Sequence, residues 1–479
     1  MFYISLLVII SAFITAIGFH TNSIFFWCIY FSLIPIFYII DNKLNLRKRD
    51  FFYLGTLFGF IFMGYLHHWI LSLVPFSTIL SIFLLWFLYS LYLSLFYAFL
   101  FLSIRLFRHL FAIFPLWILF ELIKSYGQFG NPHGNLGYSQ AMNKYIVQLA
   151  SIGSVYIVSL FILIINFLLY LIFKQIILFI KYKEFKKSQF NIQLLIFISL
   201  IAVITFWSHH RLMNDQLLQN NKIRIAIVQP NHSQSDKLNK NKWLQLKQDY
   251  LTMTNQVFSI KPDLIFWPET ITPQLNYNND VFKNKLFSLS KSLNCHLLFG
   301  TPFLKNKKFY NSIISISPNQ PSQFYFKQKL IPFGEYWPAK SIFQFIGLKN
   351  IIPGSDYTAG TNNQLFTFNN IRLSGAICLE SVYPHFFNAS INKDNINLLF
   401  VVLNNAWFFN SAASQYHLNM SIFRAVETNR FLIQSANTGI SAIIDNNGKV
   451  THSLGLNQKG ILQGYIYLIE KKSIFTSLF

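Results

Sequence analysis

Three side chains that together can transfer an acyl group stand where apolar runs of this sequence end. Glu269 closes Asp263-Leu-Ile-Phe-Trp-Pro-Glu, Lys327 closes Phe324-Tyr-Phe-Lys, and Cys378 follows Ile371–Ile377 in Ser-Gly-Ala-Ile-Cys-Leu-Glu. Strand ends are where α/β folds place reactive groups. A carboxylate delivered by an apolar strand and a proline is rigid and partly desolvated, which raises its pKa toward that of a useful base. In such a set the Glu takes the thiol proton, the thiolate attacks a carbonyl and the Lys steadies the oxyanion. Each residue also has a plainer reading. A strand-end Cys is a small buried hydrophobe, a strand-end Glu caps a helix or pairs with Arg, and a strand-end Lys faces solvent. Spacing alone leaves both readings open.

The elements that must hold these residues lie in 208–479, which reads as an α/β domain. The spacing predicts strands at Ile223–Val228, Asp263–Trp267, His296–Phe299, Asn311–Ile316, Phe324–Lys327, Ile371–Ile377, Asn397–Leu403 and Ile440–Ile444. It predicts helices at Trp243–Ser259, Val281–Leu293 and Ser414–Thr428. This part carries 26 Lys and Arg against 13 Asp and Glu, a balance of +13, read as a solvated face.

Residues 1–207 are of another kind. Over the 479 residues only 12% are charged and 53% are hydrophobic, and the mean hydropathy is +0.39. A soluble chain carries about 25% charged residues. The 18% aromatic share excludes disorder. Apolar stretches at 2–19, 23–40, 51–73, 78–102, 109–123, 146–172 and 193–207 suit a bundle of about seven membrane spans. Lys43, Arg47, Lys48 and Arg49 follow the second stretch, Arg105 and Arg108 the fourth, and Lys174, Lys181, Lys183, Lys186 and Lys187 the sixth. Lys and Arg gather on the cytoplasmic side of membrane proteins, so seven crossings leave 208–479 outside. The net +22 is therefore a membrane signal. No phosphate-binding glycine loop, RNA-stacking motif or DNA-reading helix stands out, so no nucleic-acid partner is expected.

Three cysteines, Cys28, Cys295 and Cys378, exclude a disulfide scaffold, and no Cys-x-x-Cys pair marks a zinc site. No cofactor or metal is expected. His67-His68 and His209-His210 read as interfacial polar residues, Cys295 as core, and Cys28 as facing lipid or other helices. Glu121, within or at the end of the fifth stretch, has two readings: an intramembrane functional carboxylate, or an interfacial partner of Lys124.

Beyond these residues the chain resembles the nitrilase (carbon–nitrogen hydrolase) superfamily, marked by a Glu-Lys-Cys triad on an α-β-β-α sandwich. Within it, the chain is similar to the apolipoprotein N-acyltransferase family, which joins a membrane bundle to a nitrilase-like domain outside the inner membrane. The resemblance rests on Val228-Gln229-Pro230-Asn231, Trp267-Pro268-Glu269-Thr270, Tyr310-Asn311-Ser312, the block from Lys327 to Pro338, Pro353-Gly354, and Ile377-Cys378-Leu379-Glu380. It continues through Asn404-Asn405-Ala406-Trp407-Phe408, Arg424-Ala425-Val426-Glu427 with Arg430, and Asn437-Thr438-Gly439-Ile440-Ser441, with Gly137-Tyr138-Ser139-Gln140 in the membrane part.

The resemblance implies an acyl chain passed from a phospholipid to Cys378 as a thioester, then to the α-amine of an apolipoprotein's diacylglyceryl-cysteine. It implies a bacterial inner-membrane enzyme with a periplasmic catalytic domain. Glu269 becomes the base, Lys327 the oxyanion stabiliser, and Glu335 a second active-site Glu that orients them. Glu380 shapes the pocket, and Asn404 and Trp407 support the site. The chain departs from the family at Leu379, where an aromatic residue is usual, and at Leu238, where a Trp is usual. It departs also at Asn131 and His133 in the Gly-Phe-Pro-Trp segment, at Asn405 in place of Asp, and after Glu470, where a further transmembrane helix is usual. Two other readings keep most of these features: a membrane-tethered amidase, or an acyltransferase with another amine acceptor, and an inactive scaffold.

Overall fold

The computed structural model describes residues 1–21, 23–183, 186–214, 222–272, 281–338, 356–361 and 365–478. They form two compact units: Met1–Leu71 with Thr78–Asp215, and Ser72–Ser77 with Gln216–Phe479.

Every apolar stretch of the first unit holds a helix. These are α1 (Phe2–Ile17), a 3-10 helix Ser23–Tyr30 leading to α2 (Ile34–Lys43), α3 (Lys48–Leu66) and α4 (Ile79–Phe107). They continue as α5 (Ile113–Ser125), α6 (Ala150–Tyr182) and α7 (Lys187–Asn214). Among the described residues four helices, Ile24–Lys43, Ile79–Phe107, Ile146–Tyr182 and Lys187–Met213, are long and apolar enough to cross a membrane. Lys48–Leu66 and His68–Phe76, bent by 50° between them, make a fifth if taken as one span. Lys174 and Lys181, read from the sequence as linker residues, lie on α6, because apolar positions keep the helix going to Tyr182.

Helices in lipid gain little from hydrophobic burial and associate through close packing and polar contacts. A Cβ on Gly55 would stand 2.4 Å from the Tyr97 carbonyl oxygen, and one on Gly59 2.7 Å from Ser94 Cα, so this small-residue pair brings the α3 and α4 backbones together. Within the 23–40 stretch the chain winds as a 3-10 helix before passing into α2, and a distant side chain takes over backbone bonds at that passage. Asn166 Nδ2 donates to the Ile29 and Ile162 carbonyls, both at 2.9 Å, and its Oδ1 accepts Leu33 N–H at 2.8 Å. The 51–73 stretch breaks at His67, whose Nδ1 faces the Met63 carbonyl at 2.9 Å and so carries the proton, leaving Nε2 to accept from Asn131 at 3.0 Å.

In the second unit two six-stranded sheets form. The first has the order β12-β1-β2-β3-β4-β5 and the second β11-β10-β9-β8-β7-β6. The strands are β1 (Lys222–Gln229), β2 (Leu264–Phe266), β3 (His296–Lys305), β4 (Lys308–Ile316), β5 (Gln323–Phe326) and β6 (Leu365–Phe368). The remainder are β7 (Ile371–Ile377), β8 (Leu398–Leu403), β9 (Leu432–Ala436), β10 (Ser441–Ile444), β11 (Val450–Leu454) and β12 (Gly460–Tyr467). The two sheets share one plan. Parallel trios β1-β2-β3 and β7-β8-β9 are flanked by antiparallel neighbours, β12 and β4 in one and β6 and β10 in the other.

Strand side chains alternate between faces, so a central strand covered on both sides is apolar throughout. One face of the first sheet, with Ala226, Val228, Ile265, Trp267, Leu297 and Phe299, meets α9 (Trp243–Asn255) and α10 (Val281–Leu293) in one core. The other face meets the second sheet. Phe266 and Phe400 lie ring to ring at 4.6 Å, and a Cβ on Gly375 would reach within 2.9 Å of Ile313 Cδ1. Burying each such large side chain stabilises by about 1.5–3 kcal/mol. Short helices α8 (Gln234–Leu238), α11 (Asn388–Asp394) and α13 (Ile474–Leu478) and the longer α12 (Ala413–Thr428) complete the unit. Arg430 ties down the segment before α13 by donating to the carbonyls of Glu470 and Lys471.

Candidate active site

The carboxyl ends of the parallel strands converge on one buried polar cluster. Glu269 follows β2 on a turn where Thr270 has φ 51°. The turn crosses β3 so closely that a Cβ on Gly300 would lie 2.6 Å from Glu269 Cα. Glycine is required there to let the chain pass, and Gly300 N–H donates to the Pro268 carbonyl at 3.0 Å. Glu269 Oε1 accepts from Asn311 Nδ2 at 2.8 Å, and the same nitrogen donates to Glu335 Oε1 at 2.8 Å. Asn311 sits on β4, and its carbonyl receives Lys327 N–H at 2.8 Å.

Lys327 leaves β5 fully enclosed. Its Nζ lies 2.9 Å from Glu335 Oε1 and 2.8 Å from Oε2. Burial alone would pull this ammonium down. The carboxylates of Glu335 and Glu269 outweigh burial and hold it above its ordinary value, so it stays charged. Glu335 is fixed in turn by Ile331 N–H, which donates to Oε2 at 2.9 Å.

Cys378 opens the 3-10 helix Cys378–Val382 directly after β7, with φ 51°. A non-glycine residue in this region costs of order 1–3 kcal/mol and persists only where its surroundings impose it. Glu380 imposes it here. Its Oε2 accepts Ile377 N–H at 2.8 Å, and Oε1 accepts the Tyr325 hydroxyl at 2.7 Å, Gln328 N–H at 2.6 Å and Lys329 N–H at 3.0 Å. One carboxylate thus ties the cysteine's turn to the chain just beyond Lys327. Burial pushes the Glu380 carboxyl up to about 7, against Lys327 and these donors.

Burial also raises the Cys378 thiol, with Glu269 adding to the rise and Lys327 and Leu379 N–H opposing it. The resting sulfur is therefore a thiol beside a base. Burial likewise raises Glu269, with Lys327 pulling it back. Proton transfer to Glu269 and attack by sulfur are what such a set can do, with Lys327 and Leu379 N–H as donors available to a developing oxyanion.

Asn404 ends β8, where its Oδ1 accepts from Lys237 at 3.2 Å and Asn437 Nδ2 at 3.1 Å. Trp407 is half-buried, with the Phe76 ring edge-on to it at 5.0 Å. Gln229 and Asn231 lock the two sheets together. Gln229 Oε1 accepts from Ser441 at 2.5 Å, and Asn231 N–H donates to the Asn437 carbonyl at 3.1 Å. Arg424 and Glu427 are a buried ion pair at 2.7 Å. Pro353-Gly354 lies outside the described residues. Cys295 is core. In the first unit Glu121 does not bond Lys124. Its Oε1 accepts from Trp117 at 3.2 Å and Leu136 N–H at 2.8 Å, while Lys124 donates to the His133 carbonyl. Neither Asn311, inside Tyr310-Asn311-Ser312, nor Lys237 ends an apolar run, so no local pattern singles them out.

Two stacked mixed sheets with helices outside are the architecture of carbon–nitrogen hydrolases, and residues 224–470 match the family model "Carbon-nitrogen hydrolase". Residues 11–168 match "Apolipoprotein N-acyltransferase N-terminal domain". Apolipoprotein N-acyltransferases of Wigglesworthia glossinidia brevipalpis and Coxiella burnetii are 30% and 29% identical over 440 residues each, covering 88% of this chain and 83% and 85% of theirs. That of Rickettsia prowazekii is 28% identical over 363 residues, 73% of this chain and 68% of that one. A solved CN-hydrolase superfamily protein of Xanthomonas campestris aligns over 51% of this chain and 90% of that one, with TM-score 0.40 and 16% identity. The chain belongs to the apolipoprotein N-acyltransferase family.

Proposed function

We propose that this membrane protein N-acylates lipoproteins through a thioester on Cys378, with a phospholipid as donor. Glu269 takes the thiol proton and the sulfur attacks the ester carbonyl of the lipid. Lys327 and Leu379 N–H hold the oxyanion. Its collapse breaks the C–O bond, Glu269 returns the proton to the leaving alkoxide, and a lysophospholipid departs. The neutral α-amine of a diacylglyceryl-cysteine then attacks the thioester, Glu269 takes the amine proton, and the amide forms as the thiolate leaves. A thioester is activated toward amines and an amide is a stable end point, so the second step draws the first forward. The observation that carries this reading is the burial of a thiol, a charged lysine and two carboxylates around one strained cysteine turn.

The same reading puts the protein in the bacterial inner membrane as a multi-pass bundle, 1–207, with 208–479 on the periplasmic side. The support is the placement of Lys43, Arg47, Lys48, Arg49, Arg105, Arg108 and Lys181–Lys187 at alternate helix ends.

The test is intact-protein mass spectrometry after incubation with diacyl phospholipid, beside a Cys378→Ala control. The expected result is a gain of one acyl group, absent in the control and released by hydroxylamine. No adduct across a donor series, with hydrolysis of simple amides instead, assigns the site to an amidase. No adduct and no hydrolysis leaves a scaffold.

A further inference from the structure

Lys237 is a buried cation that the acyl-transfer steps leave unused. It sits on α8, fully enclosed, and its Nζ donates to the main-chain carbonyl of Glu269 at 3.3 Å and to Asn404 Oδ1 at 3.2 Å. Its own backbone is held as firmly. Lys237 N–H donates to the Ser233 carbonyl at 3.1 Å, and Trp243 Nε1 donates to the Lys237 carbonyl at 2.7 Å. Asn404 is locked by Gln234 Oε1 at 3.2 Å and Asn437 Nδ2 at 3.1 Å. The ammonium therefore links the exit of β2, in one sheet, to the exits of β8 and β9 in the other.

Glu269 is faced by Lys327 from the end of β5, Glu335 beyond it, Asn311 from β4, Cys378 from β7 and Lys237 from α8. Of the two cations, Lys327 has both oxygens of Glu335 within 2.9 Å. Glu335 therefore offsets part of the pull that Lys327 exerts on Glu269. Among the described residues, the hydrogen-bond acceptors of Lys237 are neutral oxygens, so its positive charge acts on Glu269 with no bonded counter-ion among them. The other titratable group facing Lys237 is His232, which gives its Nε2 to Asp249 at 3.1 Å. Burial pulls the Lys237 ammonium down to about 7, and Glu269 opposes the fall. Its charge is therefore present on the acidic side of neutrality, where a base must compete with protons.

We propose that Lys237 is a positioning residue for the general base: it pins the Glu269 main chain to Asn404 across the two sheets, and its charge favours the ionised Glu269 carboxyl. This rests on the reading of Glu269 as the base.

The test uses the purified full-length protein and diacyl phospholipid, following the rate of adduct formation on Cys378 from about pH 5 to about pH 8. Lys237→Met removes charge and donor; Lys237→Gln removes charge and keeps a donor, which guards against a variant that fails to fold. Both should move the acidic limb of the profile up by about one pH unit, slowing the reaction about tenfold on that limb. Lys237→Arg should return the limb to its wild-type position. A limb that stays put in Met and Gln variants, whether the rate is unchanged or uniformly lowered, overturns the proposal. Glu269→Gln separates the two readings. If it forms the adduct at the wild-type rate, Glu269 is not the base. If it is inactive while the limb is unmoved in the Lys237 variants, only the role of Lys237 falls.

Discussion

Lys327 Nζ lies 2.9 and 2.8 Å from the two carboxylate oxygens of Glu335, and both side chains are buried. The pair explains how a charged lysine can stand beside a thiol in a dry site. Taking a cation out of water costs several kcal/mol unless a well-placed counter-ion and hydrogen bonds offset it. Glu335 supplies the counter-ion, which leaves the Glu269 carboxyl hydrogen-bonded to Asn311 and free of a direct ion pair with Lys327, as the proposed role of a base requires.

Removing that partner should unmask the lysine. Glu335→Ala is expected to destabilise the protein by about 3–5 kcal/mol, because it leaves a buried charge uncompensated. Glu335→Gln also removes the counter-charge but keeps one acceptor oxygen for Lys327, so it should lose less stability than Ala while lowering adduct formation on Cys378. Thermal melts and adduct rates of the two variants check this. Equal stability of Ala and Gln variants contradicts it.

Gly300 should matter for activity though it carries no side chain. A Cβ there lands 2.6 Å from Glu269 Cα, and backbone moves less readily than a side-chain tip. Gly300→Ala is expected to lose about 1–3 kcal/mol by overpacking and to slow acylation further than that loss of folded protein explains. Activity per folded molecule, read alongside the melt, distinguishes the two. Wild-type activity per folded molecule rules the positioning role out.

Glu380 is placed to receive four donors. In Glu380→Gln an amide N–H₂ must face one or more N–H or O–H groups, leaving them unpaired. The expected penalty is at least about 1–3 kcal/mol, and Tyr325→Phe, which removes one donor to a charged acceptor, should lose about 1.5–3 kcal/mol. Chemical denaturation measures both. With denaturation followed above neutrality, where the carboxyl raised to about 7 is ionised, a Gln variant as stable as wild type refutes the fourfold-bonded carboxylate.

Burial pulls His232 and His417 from an ordinary 6.5 to about 4. The folded chain thus refuses protons that the unfolded chain accepts below about 6.5. Their contribution to stability is present above that pH and falls away as the pH drops toward about 4, by at most ~2.7 kcal/mol per pH unit for the two together. Melting temperature followed from neutral pH downward should show the slope, and His417→Gln should remove about half of it. An unaltered slope in that variant overturns the assignment.

The catalytic candidates were legible because each ends a locally apolar run. Ile371–Ile377 is the strand the residues alone predict, and Val281–Leu293 the helix. Strands β6, β9, β11 and β12 were not anticipated. β12 acquires its place by pairing along its length with β1, from Lys222↔Tyr467 to Gln229↔Gly460, and no local pattern encodes a partner so far away in the chain. The 51–73 stretch reads as an unbroken span because hydropathy measures only apolar length. It bends at His67, where Asn131 offers a hydrogen bond from elsewhere in the fold.

Residue order was therefore enough to reveal which residues lie at strand ends, which stretches are apolar enough for lipid, and what chemistry Glu269, Lys327 and Cys378 are fit to perform. It took the fold to reveal that Lys327 is paired with Glu335, that Asn311 bridges two carboxylates, that Glu380 imposes the strained turn at Cys378, and that Lys237 stands behind Glu269. Each of these is a contact across sheets or between strand ends, made by side chains of ordinary type. Their effect comes from burial and distance, which the order of residues along a chain does not contain.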